Sequence, residues 1–141
     1  MTDVLDRFLR YVQVDSASVL GGQARPSSPG QENLSAILES ELSAMGGGWI
    51  TRRLGDASLL VGLPASPGLE DRVHCAFLAH IDTYYGLPGA ARPRVLVTDG
   101  LGLEVAPGVG IPASLLHPFA GKRIVVSDGS GLLGADDKAG V

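Results

Sequence analysis

Cysteine is nearly missing from this sequence: Cys75 is the single one among 141 residues. A disulfide framework is thereby excluded, and a reducing compartment fits. Basic clusters are scarce too. None exceeds the pairs Arg52 with Arg53 and Lys122 with Arg123, and the net charge is −4. Nucleic-acid binding by phosphate neutralisation is therefore not expected. No apolar run approaches the ~18 residues that a membrane span needs. The amino terminus, MTDVLDRFLRYV, mixes acids and bases where a signal peptide has a basic start and an unbroken apolar centre. A cytoplasmic location without membrane contact is the expectation. No serine sits in G-x-S-x-G, which counts against hydrolysis through a nucleophile elbow. Cys75 lies inside an apolar run and reads as a small buried hydrophobe, not a nucleophile.

What is present suits one domain with a real core: 45% of residues are hydrophobic and the mean hydropathy is +0.22. The 20 glycines and 9 prolines point to many turns between short elements. Val4, Leu5, Phe8, Leu9 and Val12 share one helical face. After a Ser-, Gly- and Pro-rich loop over 15–30, Ser28, Pro29 and Gln31 have the order of a cap, a first helical residue and a capping-box partner. Leu34, Ile37, Leu38, Leu42 and Met45 then make a buried stripe, and Gly46 stops the helix. Strands are predicted at 49–53 and 58–63 around a turn at Gly55 and Asp56, at 94–97, and at 124–127. Residues 73–79, VHCAFLA, read as the central strand, buried on both faces as in a parallel sheet. A short return strand is expected at Leu132 and Leu133, and a helix after Lys138. Residues 83–118 break into short glycine- and proline-punctuated pieces, a connection long enough to be functional.

His80 and Asp82 stand at the carboxyl end of that predicted strand, where open α/β sheets place ligands. Two apart on extended backbone, they share a side at roughly 7 Å. Asp82 then reaches one ring nitrogen of His80 and leaves the other for a metal. The plainer alternative is a surface histidine beside an aspartate in a turn. Asp136 and Asp137 follow a glycine-lined turn; either could ligate a metal, or both could simply complement a helix dipole. Spacing does not choose between them. Residues 129–134, GSGLLG, match G-x-G-x-x-G, but the acids that follow would repel a pyrophosphate, so a tight turn is the better reading. His74 reads as a packed or exposed histidine and His117 as a loop residue; Tyr84 and Tyr85 could line a cleft, although loop tyrosines more often just pack.

LAHIDT, followed about fifty residues later by DGSGLLGADDKAG, resembles the peptidase T family of tripeptide aminopeptidases, within the dizinc aminopeptidase, carboxypeptidase and aminoacylase superfamily. The opening LDRFLRYVQVDSAS and the helix PSSPGQENLSAILESEL look alike as well, while residues 84–116 depart most. The resemblance implies an α/β fold: the amino-terminal part, 1–141, of a zinc-exopeptidase catalytic domain with a mixed, largely parallel central sheet and flanking helices. The remainder of that domain and a small lid or dimerisation domain would lie beyond the ADDKAG motif. It implies zinc as cofactor, two ions per complete domain, with His80 and Asp136 as metal ligands and Asp82 as the active-site aspartate behind His80. A general-base glutamate and further ligands would lie past Val141. The activity implied is release of the amino-terminal residue from short peptides, with homodimer pairing at full length and an inactive isolated portion. A related carboxypeptidase or N-deacylase, or a non-catalytic binding module on the same scaffold, are the alternatives.

Overall fold

The computed structural model describes residues 4–141, apart from the side chains of residues 136 and 137. Helix α1 spans Val4–Tyr11 and helix α2 spans Pro29–Met45. Leu34 and Leu38 of α2 bury against Tyr11, with Val14, Ile37, Leu59 and Ile81 packed around them. Leu34, Ile37 and Leu38 of the stripe predicted for α2 thus find their partner, while Leu42 is half-buried and outside this cluster. The last member of the stripe departs from expectation: Met45 is exposed, its sulfur accepting a hydrogen bond from Arg7 Nη1 at 3.4 Å. The helix stops where Gly46 takes the left-handed conformation, with φ of 64°.

At its other end the cap differs by one residue from expectation. Gln31 accepts a hydrogen bond from the Ser27 backbone at 3.1 Å and donates to Ser27 Oγ at 3.0 Å. Ser28 holds the cap position in extended backbone, but its buried hydroxyl has no partner among the described residues. Pro29 and Gln31 begin the helix as their chemistry predicts.

Strands β1, Ile50–Arg53, and β2, Leu59–Gly62, form an antiparallel hairpin, with Thr51 opposite Val61. Its turn uses positive φ at Asp56 and Ala57. Arg53 of β1 pairs with Glu32 and, at 2.8 Å, with Glu39, while Arg10 of α1 pairs with Glu41 at 2.6 Å. These solvent-exposed pairs set orientation more than stability, because water and salt screen them. Strands β3, Pro93–Val97, and β6, Arg123–Ser127, pair antiparallel with Val95 opposite Val125. Between them lie the hairpin of β4, Leu103–Ala106, and β5, Val109–Ile111, a short helix α3, Ala113–Leu116, and a 3₁₀ turn, His117–Phe119. One turn of helix, α4, spans Ala135–Lys138.

The architecture is thus mixed α and β, built from three two-stranded antiparallel sheets among the described residues. Two predicted strands do not form. Residues 73–79 carry no regular structure, and Val73, Phe77 and Leu78 are 98%, 95% and 99% exposed. The physical reason is a missing neighbour. A strand apolar on both faces is stable only with strands at its sides and layers above and below, and no described strand pairs with this one. Leu132 and Leu133 likewise lie outside any strand. Cys75, within that segment, is exposed, which corrects its reading as buried. No helix among the described residues is long and apolar enough to cross a membrane.

Candidate functional site

Backbone pairing begins where the apolar run ends. Thr83 N donates to Ser16 O at 3.2 Å and Ser18 N donates to Thr83 O at 3.0 Å, making a parallel bridge centred on Ala17 and Thr83. Ser16, fully buried, donates its hydroxyl to Ile81 O at 2.6 Å. Ile81 is also part of the α1–α2 core, so the segment is fixed from both sides. Its neighbours in sequence, His80 and Asp82, remain accessible, with side-chain exposures of 62% and 45%.

His80 Nδ1 lies 3.0 Å from Asp82 Oδ1. The other carboxylate oxygen, Oδ2, accepts a hydrogen bond from Ser18 Oγ. Burial disfavours the charged form of Asp82, yet the hydrogen bonds from Ser18 and His80 outweigh it and hold this carboxyl below the ordinary aspartate value. Asp82 is therefore an ionised acceptor at neutral pH, within hydrogen-bond reach of His80 Nδ1. The pair borders an open depression of about 530 Å³, whose other walls include Thr83, Tyr84, Tyr85 and Leu132. The two tyrosine rings stand 4.6 Å apart at 45°, so the sequence expectation of an aromatic wall is met in geometry.

The glycine-lined turn arrives from a different direction. Leu132 N donates to Pro88 O at 2.8 Å. Gly131 lies so close to the 88–90 loop that a Cβ there would come within 2.1 Å of Ala90 O. Close packing, with Gly129 turning at φ of 85°, accounts for these glycines without a phosphate. Lys138 of α4 is 1% exposed and donates from Nζ to Val14 O at 2.5 Å and Gly89 O at 3.3 Å. Gly89 N in turn donates to Asp15 Oδ1 at 3.0 Å. The three stretches 12–18, 80–91 and 131–138 are thereby stitched into one scaffold.

Of the expected site residues, the structure brings His80 and Asp82 together. The Asp136 and Asp137 side chains lie outside the described residues. No group of three or more histidine, cysteine, aspartate or glutamate side chains able to hold a metal occurs among the described residues. The donor chemistry of His80 with Asp82 behind it fits a zinc ligand and its support; it is one ligand, not a full set. Sequence reasoning passed over Ser16, Ser18 and Lys138. The alternation in DSAS was the available signal for the serines, since residues two apart face one way on extended backbone.

Fold and site define a mixed α/β chain that presents a carboxylate-supported histidine at the edge of an open cleft. No family model matches it. Over its whole length the chain is similar to peptidase T of Citrobacter koseri, at 35% identity, and to peptidase T of Escherichia fergusonii, at 36%. Peptidase T of Escherichia coli O1:K1 is 35% identical. In each case the chain spans 36% of the relative's length.

Proposed function

We propose that this chain is the amino-terminal part of the catalytic domain of a cytoplasmic, zinc-dependent exopeptidase that releases the amino-terminal residue from short peptides, tripeptides foremost. The observation that carries the reading is the His80–Asp82 couple, poised at a cleft in a chain similar to peptidase T from end to end. In the complete domain residues 73–79 become a strand of a mixed, largely parallel central sheet, and His80 and Asp82 sit at its carboxyl end. Pairing into a homodimer belongs to the full-length protein.

Asp82 accepts from Nδ1 of His80, fixes the ring's tautomer and orientation, and raises the basicity of Nε2, the nitrogen assigned to zinc. Asp136 is the second ligand this reading assigns within the chain. Bound zinc supplies Lewis acidity toward the scissile carbonyl and the attacking water. The cleft beside Tyr84 and Tyr85 receives the peptide. Two divalent ions need more anionic ligands than His80 and Asp136 provide, so the 141-residue chain alone is expected to be inactive.

The test is tripeptide hydrolysis by a polypeptide completed with the remaining length of a relative. Activity that disappears on chelation and returns with zinc supports the proposal. His80→Ala should abolish it, and Asp82→Asn should lower metal affinity or activity about 10–100-fold, the usual cost of removing a ligand's support. Hydrolysis that survives thorough chelation, or cleavage confined to N-acyl or carboxy-terminal bonds, would point to another enzyme.

A further inference from the structure

We propose that Ser18 is a positioning residue of this site: its hydroxyl pins one oxygen of Asp82, so that the other is presented to His80 Nδ1 and the imidazole is held in its Nδ1–H tautomer. The proposal rests on the exopeptidase reading only for what the oriented ring then does. The hydrogen-bond geometry stands by itself.

The direction of each bond follows from what the partners are able to donate. Gln31 Nε2 is a donor only, and it reaches Ser18 Oγ at 3.5 Å as well as Ser27 Oγ at 3.0 Å. Gln31 Oε1 is occupied by the Ser27 backbone N–H. Ser18 Oγ therefore accepts from Gln31, and its single proton is committed to Asp82 Oδ2. The Ser18 backbone is fixed independently by its N–H to Thr83 O at 3.0 Å, so the hydroxyl has a rigid base. A carboxylate held at one oxygen loses its freedom to rotate, and its second oxygen stays 3.0 Å from the ring. A chain of polar contacts thus runs from the first turn of α2, through buried Gln31 and half-buried Ser18, to a histidine at the mouth of the cleft.

Ser16 supplies the contrast. Its hydroxyl bonds the backbone of Ile81 and not Asp82, so it supports the segment without aiming the carboxylate.

The experiment follows the ring nitrogens of His80 by two-bond proton–nitrogen correlation in the ¹⁵N-labelled 141-residue chain. It is run near pH 8, above the ~6.5 at which histidine ordinarily titrates, with the signal assigned by its loss in His80→Gln. Free imidazole side chains in water favour Nε2–H, so a dominant Nδ1–H form at His80 is the expected departure. Ser18→Ala should shift the ring back toward Nε2–H, while Ser18→Thr, which keeps the hydroxyl, should preserve the wild-type pattern. Ser18→Cys, close in volume but a weak donor, should shift in the same direction and covers the case in which alanine unfolds the loop. Ser16→Ala should lower the melting temperature and leave the tautomer alone. A wild-type ring already in the Nε2–H form, or a tautomer that ignores loss of the Ser18 hydroxyl, overturns the proposal. Should the tautomer respond while the completed polypeptide hydrolyses no tripeptide, Ser18 keeps its role and the exopeptidase reading falls; the reverse pair of results sinks Ser18 alone.

Discussion

Tyr11 ends α1 with its ring in the apolar core and its hydroxyl donating to Glu41 Oε2 at 2.8 Å, while Arg10 grips the other oxygen of the same carboxylate. Burial disfavours a phenolate there, and the negative charge of Glu41 adds to the effect, pushing Tyr11 up to about 12 from 10.0. A raised pKa means that the fold prefers the neutral phenol. Its contribution to stability is whole below about 10 and is lost as pH rises through about 12. Glu41 has the opposite sign. Burial raises its pKa, but hydrogen bonds from Tyr11 and Arg10 prevail and lower it. Its contribution is present above the ordinary glutamate value and is lost as pH falls through the depressed one. Ultraviolet absorbance should therefore show one tyrosine ionising near 12 in the folded chain, a component that Tyr11→Phe removes. The same variant should cost about 1.5 kcal/mol in urea unfolding at neutral pH, the usual worth of a hydrogen bond to a charged acceptor. A titration curve unchanged by Tyr11→Phe would mean that the phenol is not where the core places it.

Helix α2 controls the site through contacts made at its first turn. Gly30 meets the chain leaving α1 so closely that a Cβ would fall 1.5 Å from the Asp15 carbonyl oxygen. Backbone does not yield as a flexible side chain does, so Gly30→Ala must push the 15–18 segment away from α2. A loss of about 1–3 kcal/mol is expected, as for overpacking. The Ser16–Ile81 and Ser18–Asp82 bonds should loosen with it, visible as faster amide exchange at Ser18 and Thr83. Gly55→Ala is the control, because nothing lies within 4 Å of its Cβ position; its effect should stay within about 0.5 kcal/mol. Helices α1 and α2 were legible in the sequence because their signals are local: apolar spacing, Pro29, Gly46. The hairpin of β1 and β2 was legible from its turn residues. That of β4 and β5 was not, although Pro107 and Gly108 sit between two β-prone triplets, because its strands are short and its apolar residues stay exposed or half-exposed. At the site, H-x-D was readable from spacing. The alternation of Ser16 and Ser18 was readable, but the partner of Ser18 was not, since a hydrogen bond across 64 residues leaves no local mark of what it reaches.

Across the whole molecule the least satisfied stretch is the one the composition marks as most apolar. Residues 73–79 were expected to be central because a run apolar on both faces signals burial; burial, however, requires partners, and the described residues provide none. Val73, Phe77 and Leu78 are instead almost wholly accessible. Two copies bring six such side chains, and covering about half of that surface is worth about 5–9 kcal/mol where full burial gives about 1.5–3 kcal/mol each. Association between two copies costs an estimated 4–15 kcal/mol in lost freedom. The two nearly cancel, so side chains alone give at most weak pairing, and main-chain bonds along this unpaired segment tip the balance toward strand addition by a second copy. Light scattering should show reversible self-association that grows with concentration and is shifted at least tenfold by Phe77→Lys with Val73→Lys. In dilute solution the amides of residues 73–79 should exchange rapidly, because none of them is hydrogen-bonded to another backbone segment among the described residues. Their exchange should slow as the copies pair. Association that the lysines leave unchanged, or that forms without protecting these amides, would place the contact on another face.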